Sequence, residues 1–336
     1  MSRKLKVAVA GATGLVGEAL LECLANSQLP LGEVVALASD RSIGREVAYG
    51  DDSLPVNDLA AHDFAGFDLA LFAAGAEVAH AHVPRALDAG CAVVDLSTAF
   101  RDESGVPLVV PAVNADVLAQ LGPRRLVASP GGATVALVSA LAPLHALAGV
   151  ERVNLVVLES ASGAGRGAVE ELARQCAMLL NGRPLAEGKG APAQVAFDCV
   201  PRVGDWLAGG QTTEEAQIAA DTARILGDPS IKVNSTVVRV PVFFGDGLVV
   251  HLETREPLGL ERAREALAAV PGLRLEQEAP SLAQAAADRD AVLAGRLRAD
   301  PTHPRGIDFW LAADNVRRGS AANTVEIVEV LVRDIF

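Results

Sequence analysis

The chain has 336 residues, half of them hydrophobic, which is more than one hydrophobic core usually covers and implies two domains sharing an interface. Its formal net charge of -13, with no Lys/Arg cluster to offset it, repels phosphate backbones and anionic headgroups, so no nucleic-acid or membrane partner is expected. Cys23, Cys91, Cys176 and Cys199 lie far apart without CxxC or CxxxH spacing, so neither a metal site nor a disulfide framework is expected and a reducing, cytoplasmic location is the simpler reading.

The basic start, Met1 to Lys6, leads into an apolar stretch interrupted by Gly11, Gly14 and Gly17, so it reads as a first strand rather than a signal peptide. The apolar run Leu5 to Ala10 is followed by Gly11-Ala12-Thr13-Gly14-Leu15-Val16-Gly17 and a helical pattern through Asn26, that is, strand, tight turn, helix. Strands are predicted at Glu33 to Ala38, Leu69 to Phe72 and Ala92 to Asp95, and a helix at Ala79 to Ala89 with Pro84 as its weak point. Such alternation implies a parallel sheet covered on both faces. Ala133 to Val150 is the most apolar later segment, but Ser139, Pro143 and His145 interrupt it too much for a membrane span.

From about Arg152 the pattern turns β-rich, with runs at Val153 to Leu158, Thr236 to Val242 and Val249 to Thr254, which fits a mixed or antiparallel sheet. Leu180 to Thr213, rich in Gly, Pro and Ala, reads as a long irregular excursion. Gly319 to Val332 reads as a helix, with Ala321, Val325, Val328 and Val332 spaced to pack against the first domain. The expected architecture is α/β: a Rossmann-type doubly wound parallel sheet over 1–131 with 318–336, and an α+β dimerisation and substrate domain over 132–317.

Glycines at a strand-to-helix turn permit the bend and the close approach of a pyrophosphate, while the helix N-terminus supplies N–H groups and partial positive charge. Gly11, Gly14 and Gly17, with Thr13, Leu15 and Val16 between them, fit that need although their GxxGxxG spacing departs from GxGxxG. At the end of the second strand, Asp40 would favour NAD through the ribose 2′-hydroxyl, whereas Arg41, Ser42 and Arg45 favour NADP through the 2′-phosphate. Three phosphate partners against one carboxylate favour NADP, with NAD as the alternative.

Several strings resemble the aspartate-semialdehyde dehydrogenase family: GATGLVG from Gly11, SDRSIG from Ser39, DLSTAFR from Asp95, SGAGRGAVEEL from Ser162, GDPSIKV from Gly227, RVPVFFG from Arg239 and DNVRRGSAAN from Asp314. The resemblance runs over essentially the whole chain. It implies a dimer whose first domain binds NADP and whose second supplies the subunit interface, with Gly75, Ser162, Gly163, Gly165 and Asn315 among the cofactor contacts. It also implies reductive dephosphorylation of aspartyl phosphate, in which a cysteine at a helix start attacks the acyl carbon and a histidine handles protons. Arg101 and Arg239 match the family's substrate-anion arginines, and Asn114 is kept with them.

Two family residues are missing. The string Ser129-Pro130-Gly131-Gly132-Ala133-Thr134 places Gly132 where the family carries its cysteine, and Asp246 stands where the histidine is expected, seven residues after Arg239. Glu159 occupies the place of a family glutamine and Gln217 that of a phosphate-binding lysine. No cysteine falls on the nucleophile's position; Cys199, in an apolar run, reads as buried and inert. His62, His80, His82, His145 and His303 have no motif around them and read as structural, and His251 falls on the exposed face of a strand. The chain is thus similar to Usg-type proteins within that family: a dimeric NADP-binding paralogue without covalent catalysis, forming a homodimer or pairing with a paralogue. The rival readings are an NADP-dependent oxidoreductase acting on a free aldehyde, with Asp246 or Glu159 handling the proton, and a partner protein whose cofactor site is vestigial.

Overall fold

A computed structural model describes residues 3–186 and 193–334, so that 187–192, inside the expected irregular excursion, lie outside the described residues. The chain divides into two units, Met1–Gly131 with Gly319–Phe336, and Gly132–Arg318.

In the first unit β1 (Leu5–Ala10) leads through the glycine turn into α1 (Leu15–Ala25), and β2 (Leu31–Ala38) lies parallel to β1. An unanticipated hairpin of β3 (Glu46–Tyr49) and β4 (Asp52–Asp58) follows. Then come β5 (Leu69–Phe72), α2 (Ala76–Asp88), β6 (Ala92–Asp95), α3 (Pro111–Asn114) and β7 (Leu126–Ala128). The described residues form a seven-stranded sheet, β3-β4-β2-β1-β5-β6-β7, parallel except where β3 pairs with β4. Every residue of β5 and β6 is buried, the mark of strands covered on both faces. Pro84 lies inside α2, on its exposed side, without ending it; the helix forgoes the one backbone hydrogen bond that proline cannot donate.

The second unit begins with α4 (Gly132–Ala148), β8 (Val150–Glu159) and α5 (Arg166–Leu180), followed by α6 (Thr213–Ile225), β9 (Lys232–Arg239) and β10 (Asp246–Thr254). It continues through α7 (Leu260–Ala268), β11 (Leu273–Leu275), α8 (Leu282–Ala287), β12 (Val292–Ala299) and β13 (Gly306–Ala313). Its described strands make a mixed sheet, β11-β12-β13-β10-β8-β9. β10 runs antiparallel to β8 and β13, while β8 and β9 are parallel. The apolar segment that is too interrupted to span a membrane is α4, whose Leu137, Leu141 and Leu144 pack against Val153, Leu155, Val250 and Phe309. Each such buried side chain stabilises the fold by about 1.5–3 kcal/mol. Among the described residues no helix is long and apolar enough to cross a membrane.

Thr212 and Glu215 form a reciprocal cap at the start of α6, and Glu215 also accepts the Val237 N–H at 3.0 Å, which ties that helix to β9. The strand expected at Thr236 to Val242 lies earlier and ends at Arg239, because Pro241 has no N–H to continue a ladder. Cys199 is exposed, not buried; its apolar neighbours sit outside the strands. The chain returns to the first unit through a π-helical turn, Arg317–Ala322, and ends in α9 (Asn323–Asp334). This helix starts at Asn323, four residues later than expected, buries Val325, Ile327, Val328 and Leu331 and packs on α1, α3 and β6; Val325 and Val328 pack as the spacing anticipated, while Val332 stays half-buried.

Candidate functional site

Two constellations carry the residues singled out in the sequence, one in each unit. In the first, Gly11 adopts φ +81, and a Cβ there would meet the Ala73 carbonyl oxygen at 2.4 Å; a Cβ on Gly17 would stand 2.1 Å from the Gly11 carbonyl oxygen. The bend and the helix-on-strand packing therefore both require glycine. Gly14 is the N-cap of α1, and no side chain caps the helix. Its first amides, those of Leu15, Val16 and Gly17, precede the first intrahelical bond, Glu18 N–H to the Gly14 carbonyl at 3.0 Å.

A cavity of about 500 Å³ opens here, beyond the C-terminal ends of β1, β2 and β5, where ligands bind in open α/β sheets. Thr13, Gly14, Ser39, Asp40, Arg41, Asp58, Leu59, Val78 and His82 are among its walls. Arg41 is exposed, whereas Ser42 is buried with its hydroxyl 3.4 Å from that of Thr13. The Asp40 carboxylate turns back onto its own 3-10 turn, accepting the Arg41 N–H at 2.8 Å. Gly75 is the uncapped start of α2. An uncapped helix start, a glycine cradle and a polar turn at the end of β2 fit a dinucleotide. His82 is on this wall although its sequence surroundings carry no motif; its Nδ1 lies 2.8 Å from Arg85 Nη1.

In the second unit the pairing of Glu159 with Arg239 and of Asp246 with Ala313 brings the ends of β8, β9 and β13 and the start of β10 to the same end of the sheet. Asp246 is buried, and its Oδ1 accepts the Ser160 N–H and the Ser160 hydroxyl, each at 2.9 Å. The chain of contacts continues from Ser160 Oγ to Ser162 Oγ at 2.9 Å, and the Ser162 hydroxyl donates to Asn315 Oδ1 at 2.9 Å. The same Asn315 oxygen accepts the Gly245 N–H at 3.3 Å.

Arg239 donates to the Ser160 carbonyl at 2.8 Å and lies 3.4 Å from Glu159 Oε1. Burial raises the Glu159 carboxyl well above the carboxylate range, the Asp246 charge raises it further, and Arg239 only partly offsets them. Burial raises Asp246 as well, against the Ser160 hydrogen bonds that lower it. The two acids thus hold a proton at higher pH than free carboxylates do.

Gly132 is the first residue of α4, and Gly163 and Gly165 lie in and after the short 3-10 turn that precedes α5. Arg101 belongs to the first unit, where its buried guanidinium donates to the Leu96 and Ser129 carbonyls. Asn114 closes a loop there by bonding Val110 N–H and the Leu108 carbonyl. Gln217 donates to Asp221 at 2.8 Å along α6. Burial and the nearby Asp68 push the Cys91 thiol up to about 11, which leaves it inert. His251 is half exposed and pairs with Asp308 at 2.7 Å. Ser160, which links the Asp246 and Asn315 contacts, had no signal in the sequence, since its partners lie 86 and 155 residues away.

Two family models match the chain: the semialdehyde dehydrogenase NAD binding domain over residues 6–121 and the semialdehyde dehydrogenase dimerisation domain over 141–318. A crystal structure of aspartate semialdehyde dehydrogenase II from Vibrio cholerae, complexed with ASA, is 41% identical with TM-score 0.96, covering 100% of both chains. An aspartate-semialdehyde dehydrogenase of Legionella pneumophila is 41% identical over 99% of this chain and 97% of its own. A USG-1 protein homolog of Pseudomonas aeruginosa is 40% identical over 99% of each. With an NAD(P)-binding domain and a dimerisation domain that together span most of its length, this chain belongs to the aspartate-semialdehyde dehydrogenase family.

Proposed function

We propose that this protein is a dimeric, cytoplasmic, NADP-binding member of its family that lacks the phosphorylating dehydrogenase activity for which its relatives are named. The observation that carries this reading is Gly132: at the position the family resemblance assigns to the nucleophile there is no side chain, and a Cβ would stand 2.9 Å from the Asn315 carbonyl oxygen. Thioester formation needs a thiolate and a base, and Asp246, at the histidine's position, is buried and engaged with Ser160. Arg41 and Ser42 beside the glycine cradle support NADP over NAD, and the dimerisation-domain match supports a homodimer, with pairing to a paralogue as its variant.

One observation favours a second reading. The raised carboxyls of Asp246 and Glu159 hold protons that can pass to a carbonyl oxygen, which suits a direct oxidoreductase reducing a free aldehyde, with hydride from the reduced nicotinamide going to the carbonyl carbon. The deciding experiment measures NADP reduction with aspartate semialdehyde and phosphate beside an authentic dehydrogenase at equal concentration. No turnover is expected. Phosphate-dependent turnover overturns the first reading, whereas NADPH consumption with aldehydes and no phosphate requirement selects the second.

A further inference from the structure

Nothing in the family match assigns a role to His82, which sits on α2 one turn after Val78, both half-buried and both on the wall of the first-unit cavity. Leu59 and Ala60, where the chain leaves β4, line the same cavity. If Ser39 to Ser42 takes the ribose and its phosphate, the base lies farther along this groove, against the Leu59–Ala60 loop and the His82 ring.

Arg85 sets the state of that ring. Its Nη1 lies 2.8 Å from His82 Nδ1, and because a guanidinium can only donate, Nδ1 must accept. The single ring proton is then on Nε2. The same guanidinium donates to the Leu59 carbonyl at 3.2 Å and the His62 carbonyl at 2.8 Å, so one side chain fixes both the tautomer and the adjoining loop. Burial and the Arg85 charge lower the pKa of His82, with Asp58 opposing them, and the remaining charged groups on the cavity are Asp40 and Arg41. With Nδ1 accepting from Arg85, the ring has its acceptor already used and one donor left.

We propose that His82 recognises the adenine base of the bound dinucleotide, donating its Nε2–H to a ring nitrogen of the base, with Arg85 as the positioning residue. This rests on the dinucleotide-binding reading above and adds a contact that is independent of the 2′-phosphate. Adenine presents unprotonated ring nitrogens as acceptors, which a fixed N–H donor matches.

The test titrates NADPH, NADH and adenosine 2′,5′-bisphosphate into the full-length protein and into His82→Phe and His82→Gln. His82→Phe keeps the bulk and loses the donor, and affinity for all three ligands should fall about tenfold, the size expected for one well-placed hydrogen bond. His82→Gln restores a donor and should recover most of the loss, which a purely structural role would not allow. Equal affinity in parent and His82→Phe overturns the proposal and leaves dinucleotide binding standing. Equal weakening in Phe and Gln variants overturns the donor role. Absence of binding by the parent to all three ligands overturns both the proposal and the reading beneath it.

Discussion

The backbone of Asn315 lies directly against Gly132: a Cβ built on the glycine would come within 2.9 Å of the Asn315 carbonyl oxygen and 3.2 Å of its Cα. Neither atom is the movable tip of a side chain, and Asn315 is held by the Ser162 hydroxyl and the Gly245 amide. Glycine at 132 is therefore a packing requirement, whatever the role of this position in the family's chemistry. Gly132→Ala should destabilise the protein by about 1–3 kcal/mol through overpacking, read from urea unfolding. Gly132→Cys, even combined with Asp246→His, should restore little NADP reduction, because Gln217 still stands at the family's lysine position. A Gly132→Ala protein as stable as the parent would refute the packing argument.

Glu159 gives a pH prediction with a definite sign. Its carboxyl is raised from 4.5 to about 8, so the folded protein binds this proton more tightly than the unfolded chain does. Below the ordinary carboxylate value both states are protonated and nothing is lost. As the pH climbs from there toward 8, the unfolded chain ionises first and stability falls, and the loss is complete above the folded value. Glu159→Gln removes that loss at the cost of the Arg239 pairing, so the net gain at pH 8.5 should be about 1–2 kcal/mol. At pH 4.5 the two proteins should unfold alike. Parallel melting curves of parent and variant across this range check it, and a constant offset would sink the titration argument.

What could be read in advance depended on how local the cause was. The glycine turn was legible because Gly11 and Gly17 answer to clashes a few residues away, and α9 because its spacing of three and four survives folding unchanged. The hairpin β3–β4 carried little signal, since each of its strands buries a single residue, Val47 or Val56. The family resemblance pointed to Glu159, Asp246 and Arg239, which the paired strands bring together, but nothing pointed to Ser160, whose contacts exist only once β8 and β10 are paired. His82 escaped for the same reason, because the carbonyls that hold Arg85 lie 23 and 26 residues upstream of it.

The glycine cradle separates folding from binding in a single pair of variants. Gly17→Ala would drive a methyl into the Gly11 carbonyl at 2.1 Å and should cost about 3 kcal/mol of stability together with cofactor binding. Gly75 has φ -69 and no atom within 4 Å of a built Cβ. Gly75→Ala should therefore leave the melting temperature unchanged, while NADPH affinity falls if the ligand approaches this helix start as closely as proposed. Unchanged melting with unchanged affinity would remove Gly75 from the cofactor site.

The choice between NADP and NAD turns on Arg41. Its side chain is exposed at the end of β2, where a ribose 2′-phosphate is expected, and the neighbouring Asp40 spends one carboxylate oxygen on the Arg41 backbone N–H at 2.8 Å. With that oxygen occupied, Asp40 is a poorer acceptor for the paired ribose hydroxyls of NAD, whereas the Arg41 guanidinium can take two phosphate oxygens at once. Arg41→Ala should then weaken NADPH binding about tenfold and leave NADH nearly unchanged. The NADPH affinity of the parent should fall with added salt more steeply than that of the variant, since one exposed charge pair has been removed. Dissociation constants for both nucleotides at two salt concentrations make the comparison. Equal weakening of NADPH and NADH would mean that Arg41 only shapes the turn. No change in either would leave the 2′-phosphate without its chief partner and shift the assignment toward NAD through Asp40.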